Sequence, residues 1–189
     1  MRKLILTEFV SLDGVMEAPG GEPGYRHSGW VIPFTEDAGQ MKYKLDEVLD
    51  AEALLIGRVT YESFAGAWPQ REGPFADKMN GMPKHVVSST LDTLEWENST
   101  LLGGDVPEAV AELKRGDGGR ILIAGSRTLA QSLMKRALID EYRLMVFPVV
   151  LGSGARLFPD DASETIPLRL VNSQVFDSGV AVHTYHAAS

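Results

Sequence analysis

Two stretches of the chain join a glycine to an arginine and a threonine directly after an apolar run: Leu54-Leu55-Ile56-Gly57-Arg58-Val59-Thr60 and Ile121-Leu122-Ile123-Ala124-Gly125-Ser126-Arg127-Thr128. Each reads as strand, tight turn and helix start. Such a junction aims backbone N–H groups and the positive end of a helix dipole at one place, and the arginine adds a full charge beside it. A pair of them suits one long ligand carrying more than one phosphate. A third apolar run, His85-Val86-Val87, ends in Ser88-Ser89-Thr90. These hydroxyls can hold ribose or phosphate oxygens, or simply cap a turn. If the three strands are parallel, all three sets share the carboxyl rim of the sheet, where open α/β sheets bind ligands. The combination fits a dinucleotide, with pyrophosphate at a glycine junction and an arginine with nearby hydroxyls on a ribose 2′-phosphate.

Other chemistries find less support. No G-x-G-x-x-G follows the first apolar run, and the Walker A pattern for nucleoside triphosphates is missing. The chain has no cysteine, and His183 and His186 stand three apart on an expected strand, which sends them to opposite faces, so no metal site is expected. Gly152-Ser153-Gly154 lacks the spacing of a serine nucleophile elbow. Redox chemistry or plain binding remains. A hydride delivered to a C=N or C=O needs a matching proton, and a carboxyl group in an apolar cleft can stay protonated to supply it. Glu36 and Asp37, just after Trp30-Val31-Ile32-Pro33-Phe34, are candidates by position, as is Asp13 in Ser11-Leu12-Asp13-Gly14. Glu36 and Asp37 would equally serve a helix's first turn, and Asp13 a turn.

The elements that must position these groups follow from periodicity. Lys3–Val10 reads as an interior strand, and a long loop rich in glycine and proline runs from there to Gly29. Thr35 is expected to cap a helix to about Asp50, with Glu36 and Asp37 in its first turn. Strand Ala53–Ile56 and a helix from Arg58 to about Gly66 come next, then a loop that includes Phe75–Asn80, then strand Lys84–Thr90. A short strand within Trp96–Leu102, a helix opened by Asp105-Val106-Pro107-Glu108, the second glycine junction and a helix over Thr128–Ala137 continue the alternation. Glu141–Leu151 is a strand interrupted by Pro148, and Leu168–Phe176 and Val180–His186 form a hairpin about Asp177-Ser178-Gly179. Strands alternating with helices and closing on a hairpin describe an α/β sheet, mostly parallel, with an antiparallel edge. With 189 residues and no linker or repeat, residues 1–189 are expected to form one domain. A net charge of −8 argues against nucleic acid as partner, and no apolar run approaches the length of a membrane helix. A cytoplasmic protein is expected.

Several of these pieces resemble the dihydrofolate reductase superfamily, and more closely the reductase domain of the bifunctional riboflavin-biosynthesis deaminase–reductase. They are Ser11-Leu12-Asp13-Gly14, Ile56-Gly57-Arg58-Val59-Thr60-Tyr61-Glu62, Val86-Val87-Ser88-Ser89-Thr90, Ile123-Ala124-Gly125-Ser126, and Phe147-Pro148-Val149-Val150-Leu151-Gly152-Ser153-Gly154 with Leu157-Phe158. The likeness covers almost the whole chain. It implies a dihydrofolate-reductase-like three-layer fold, NADPH as cofactor, a small heterocyclic substrate of riboflavin-pathway pyrimidine or pterin type, and a homodimer. By that likeness Gly57, Arg58, Thr60 and Ser88, Ser89 and Thr90 hold the adenosine phosphate side. Gly125, Ser126, Arg127 and Thr128 hold the pyrophosphate, and the loop with Leu12, Gly14 and Met16 lies against the nicotinamide. Gly125-Ser126 replaces the doubled glycine usual in dihydrofolate reductases, and a free-standing reductase-like domain without the zinc-bearing deaminase half is expected. A nucleotide-binding or assembly protein that keeps the fold without turnover is the alternative.

Overall fold

The computed structural model describes residues 1–159 and 165–188. Strands β1 (Leu4–Ser11), β2 (Ala51–Gly57), β3 (Lys84–Val87), β4 (Ser99–Leu102), β5 (Arg120–Ala124), β6 (Glu141–Phe147), β7 (Leu168–Val175) and β8 (Ala181–Ala187) form an eight-stranded sheet in the order β4-β3-β2-β5-β1-β6-β8-β7. The pairings from β4 through β6 are parallel, and β8 runs antiparallel to both β6 and β7. The central strands are apolar on both sides because both sides are covered: Ile121, Leu122 and Ile123 are all buried.

Alternation along the strands sorts the core into layers. Leu4, Leu6, Leu55 and Ile123 pack with Val110 of α4 (Val106–Arg115) and Leu129 and Leu133 of α5 (Arg127–Met134). Ile5, Leu54, Ile56 and Leu122 face the other way, toward Val48 of α1 (Ala38–Asp50), Tyr61 of α2 (Arg58–Ala67) and Met79 of α3 (Pro74–Gly81). The result is helix, sheet, helix, the three-layer α/β fold that the family resemblance implies. A third cluster under the long first loop joins Val15, Trp30, Phe147 and Val182.

Local differences from the sequence reading have simple causes. Helix α1 starts at Ala38 and is capped by Asp37, whereas Thr35 turns its hydroxyl back to the Ile32 carbonyl in a short 3-10 turn. Phe75–Asn80 belongs to helix α3 and is not loop; Gly73 turns the chain with φ +98° and Pro74 opens the helix, a start signal hidden among neighbouring glycines and prolines. Strand β6 stops at Phe147, since Pro148 has no N–H to continue the ladder. Among the described residues no helix is long and apolar enough to cross a membrane. One buried cation stands out: Lys84 is 0% exposed, donates to the carbonyls of Asn80, Met82 and Glu97, and lies over the Trp96 ring. It ties the end of α3 to the segment before β4.

Candidate functional site

The carboxyl ends of β2, β3 and β5 do lie on one rim, because all three are parallel. A cleft of about 460 Å³ opens beside them, lined by Arg58, Val87, Ser88, Ser89, Thr90, Leu102, Gly103, Gly104 and Val106. The structure thus brings Arg58 and the three hydroxyl residues together. Ser88 is committed, its Oγ accepting from the Thr90 and Leu91 amides and sharing a 3.5 Å hydrogen bond with Thr90 Oγ1, which leaves Ser89 as the least committed hydroxyl of that edge. Arg58 is paired with Glu62 one helical turn on, at 3.0 Å, with both side chains nearly half exposed. An exposed pair of this kind is worth about 0–1 kcal/mol, so the guanidinium can turn to a phosphate at little cost. Sequence reading did not single out Gly103 and Gly104; they carry no side chain, and only the parallel placement of β4 beside β3 brings them to the rim.

The two glycine junctions are latched to each other. Ser126 Oγ accepts from the Gly57 amide at 2.7 Å and donates to Thr60 Oγ1 at 2.9 Å. Its hydroxyl is therefore withdrawn from capping its own helix, and neither α2 nor α5 has a side-chain N-cap, unlike α1 and α4. Gly125 and Ser126 both adopt left-handed backbone, at φ +68° and +67°. A Cβ at Gly125 would stand 2.9 Å from Thr60 Oγ1, so only glycine fits this cradle. The open N–H groups at paired helix starts have the donor chemistry that a pyrophosphate requires. Arg127 points elsewhere, donating from Nε to the Arg156 carbonyl at 2.8 Å, and Thr128 is exposed at the first turn of α5.

The loop after β1 is zipped to the loop after β6. Leu12 N donates to Val149 O, Met16 N to Ala155 O and Leu157 N to Gly14 O. Gly14 turns with φ +80° and Leu12 projects, 67% exposed, while Met16 is buried in the core. Asp13 organises the join, its carboxylate accepting from Ser11 Oγ and from the Leu151 and Gly152 amides. Those hydrogen bonds, led by Ser11, hold its carboxyl down at about 2. Asp37 is committed likewise: Oδ1 accepts from Gln40 N and Oδ2 from Ser178 N, and these donors lower its pKa. Glu36 is exposed ahead of the helix. The N–H donors at Asp13 and Asp37 favour the ionised form of both. The neutral carboxyl of this region is one that the sequence reading passed over. Glu8 on β1 is 5% exposed, and burial pushes it up to about 8 against the opposing pull of Lys44 and the Gly125 amide. A Glu beside Thr7 in a mostly apolar strand was its only signal.

Comparison with known proteins follows the same lines. A family model described as the RibD C-terminal domain matches residues 2–182. The uncharacterized protein YyaP of Bacillus subtilis strain 168 is 30% identical over 190 residues, covering 98% of this chain and 95% of its own length. Among solved structures, a putative riboflavin biosynthesis protein from Shewanella sp. PV-4 superposes with a TM-score of 0.73 at 22% identity, covering 99% of both chains. Dihydrofolate reductase from Enterococcus faecalis, complexed with NADP(H) and RAB-propyl, gives a TM-score of 0.63 at 16% identity over 99% of this chain and 97% of that one. Both likenesses are of fold.

Proposed function

We propose, from the premise that this chain belongs to the RibD C-terminal domain family, that it is an NADPH-dependent reductase of a small heterocycle, a pyrimidine of riboflavin-pathway type or a pterin. The family and its dihydrofolate-reductase-like fold support a reductase role, and the cleft carries the cofactor assignment. That cleft sets one arginine and the Ser88–Thr90 edge beside a helix start at the ends of parallel strands, the arrangement a 2′-phosphorylated adenosine needs. Gly57, Arg58, Thr60, Ser88, Ser89 and Thr90 serve the adenosine phosphate side. Gly125 to Thr128 serve the pyrophosphate through backbone N–H groups, and the exposed Leu12 and the Gly14 turn border the nicotinamide. The protein acts as one domain, in the cytoplasm, as a homodimer.

Titration with NADPH, followed by fluorescence or calorimetry, is expected to saturate below millimolar concentration; no saturation would end this reading. Arg58→Ala should weaken NADPH about 10- to 100-fold, the loss of a charge-assisted pair worth about 1.5–3 kcal/mol, and leave NADH nearly unchanged. Equal losses for both cofactors would refute the 2′-phosphate role.

The commitment of Asp13 and Asp37 to N–H donors favours a second reading, a nucleotide-binding or assembly protein without turnover. It predicts NADPH binding with no NADPH oxidation across a panel of dihydrofolate and riboflavin-pathway pyrimidines.

A further inference from the structure

We propose that Glu8 is the proton donor of the reduction, set at the nicotinamide end of the dinucleotide site; this rests on the NADPH reading above. Its position follows from the strand order. The last β1–β5 pair is Thr7 with Ala124, so Glu8 stands level with Gly125, the first residue of the turn into α5. Helix α1, which follows β1, covers one face of the sheet, and α5, which follows β5, covers the other. Connections that leave adjacent strands toward opposite faces open a crevice between their carboxyl ends. With adenosine over β3 and β2 and pyrophosphate between Gly57 and Gly125, the next place along the rim is β1. Leu12 and Gly14 border the same place, on the turn that follows that strand.

Glu8 has no structural explanation of the kind its neighbours have. Its Oε1 is sealed from solvent and has no hydrogen-bond partner. Glu47, also buried, shows what a structural acid looks like in this protein. It accepts from Thr7 Oγ1 at 2.8 Å and is bridged to Lys44 and Arg143, and although burial raises its pKa these partners bring it below the ordinary value. An unpaired buried carboxylate costs several kcal/mol, so a buried carboxyl with one oxygen left unpartnered is pushed toward its neutral form. The charged groups that act on Glu8 are Lys44 and Glu47 of α1; the turn after β5 offers the Gly125 amide, β6 sets Leu144 opposite, and Arg127 of α5 is turned to the Arg156 carbonyl.

The step balances without a further reagent. The C4 hydride of the dihydronicotinamide forms the new C–H bond at a C=N or C=O carbon, and the π pair moves to the nitrogen or oxygen. That atom takes the Glu8 proton, leaving oxidised cofactor, reduced substrate and a Glu8 carboxylate beside a positively charged ring. Net, one proton is taken up from bulk water per turnover to restore the Glu8 carboxyl.

The test needs no substrate. Carboxyl carbon NMR over a pH series should show one carboxyl titrating near 8 in the wild-type protein and missing in Glu8→Gln. Glu8 ionising in the ordinary range of about 4–5 would overturn the proposal. Calorimetry at pH 7 in two buffers of different ionisation enthalpy should show roughly one proton released when NADP+ binds and none when NADPH binds. Glu8→Gln should bind both and release none. Equal proton counts for the two cofactors in the wild type, or an unchanged count in the variant, would overturn the role of Glu8 while leaving the cofactor reading intact. Failure of both cofactors to bind would remove the cofactor reading and this proposal with it. The wild-type measurements decide the matter even if the variant does not fold.

Discussion

At Asp13 a single carboxylate joins two loops that are far apart in sequence, accepting from its own turn at Ser11 and from Leu151 and Gly152 across the gap. Asp13→Asn replaces one acceptor oxygen by a donor facing those amides. The expected cost is about 1–2 kcal/mol of stability, a fall in Tm of roughly 2–8 °C by scanning calorimetry. Because the folded-state carboxyl is depressed to about 2, its contribution is fully present above the unfolded value near 4. It is lost as pH falls from about 4 toward 2, and the Asn variant should lack that acid-side decline. Asp13 and Glu8 illustrate opposite fates of a carboxyl group. Surrounded by N–H and O–H donors, one is kept ionised; walled off from water with an oxygen unpartnered, the other is kept neutral.

Between elements, the Ser126 hydroxyl is what makes the two glycine junctions one unit, since it spans from the start of α5 to the Gly57 amide and Thr60 at the start of α2. Gly125→Ala must force a Cβ to 2.9 Å from Thr60 Oγ1 at a positive φ, so it should cost about 1–3 kcal/mol and weaken NADPH at least about 10-fold. Gly57→Ala is the comparison. Its φ of −86° suits any residue and its added Cβ would meet Ser126 Oγ only at 3.4 Å, so affinity should change less than about threefold. Equal effects from the two would show that the cradle is not the determinant. The junctions themselves were legible as local strings of apolar run, glycine, arginine and threonine. Their latch was not, because a hydroxyl gives no sign in sequence of which distant amide it will meet. Helix α3 was missed for a related reason: glycines and prolines that mark its start also mark loops.

For the whole molecule, the sheet ends on β7, whose Leu170, Val171 and Val175 remain 52%, 39% and 70% exposed. An apolar edge strand of that kind needs cover or charge to stay unassociated. A homodimer through this edge is proposed, so light scattering on the eluting protein should give twice the chain mass. Val175→Lys should shift it toward the monomer; a wild-type monomer at micromolar concentration would refute the dimer.

The sequence by itself determined the alternation of strands and helices, the antiparallel closing hairpin and the two glycine junctions. Each of these is written in residues adjacent along the chain, through periodicity, φ preference and missing N–H groups. Only the tertiary structure decided which carboxyl groups are ionised and which glycines and hydroxyls share a cleft. Ionisation depends on solvent access and on donors from other elements, and strand order brings β5 beside β1 although three strands intervene in the chain. Glu8 was therefore one polar letter beside Thr7 in a mostly apolar strand until Gly125 and the walls around it were in place.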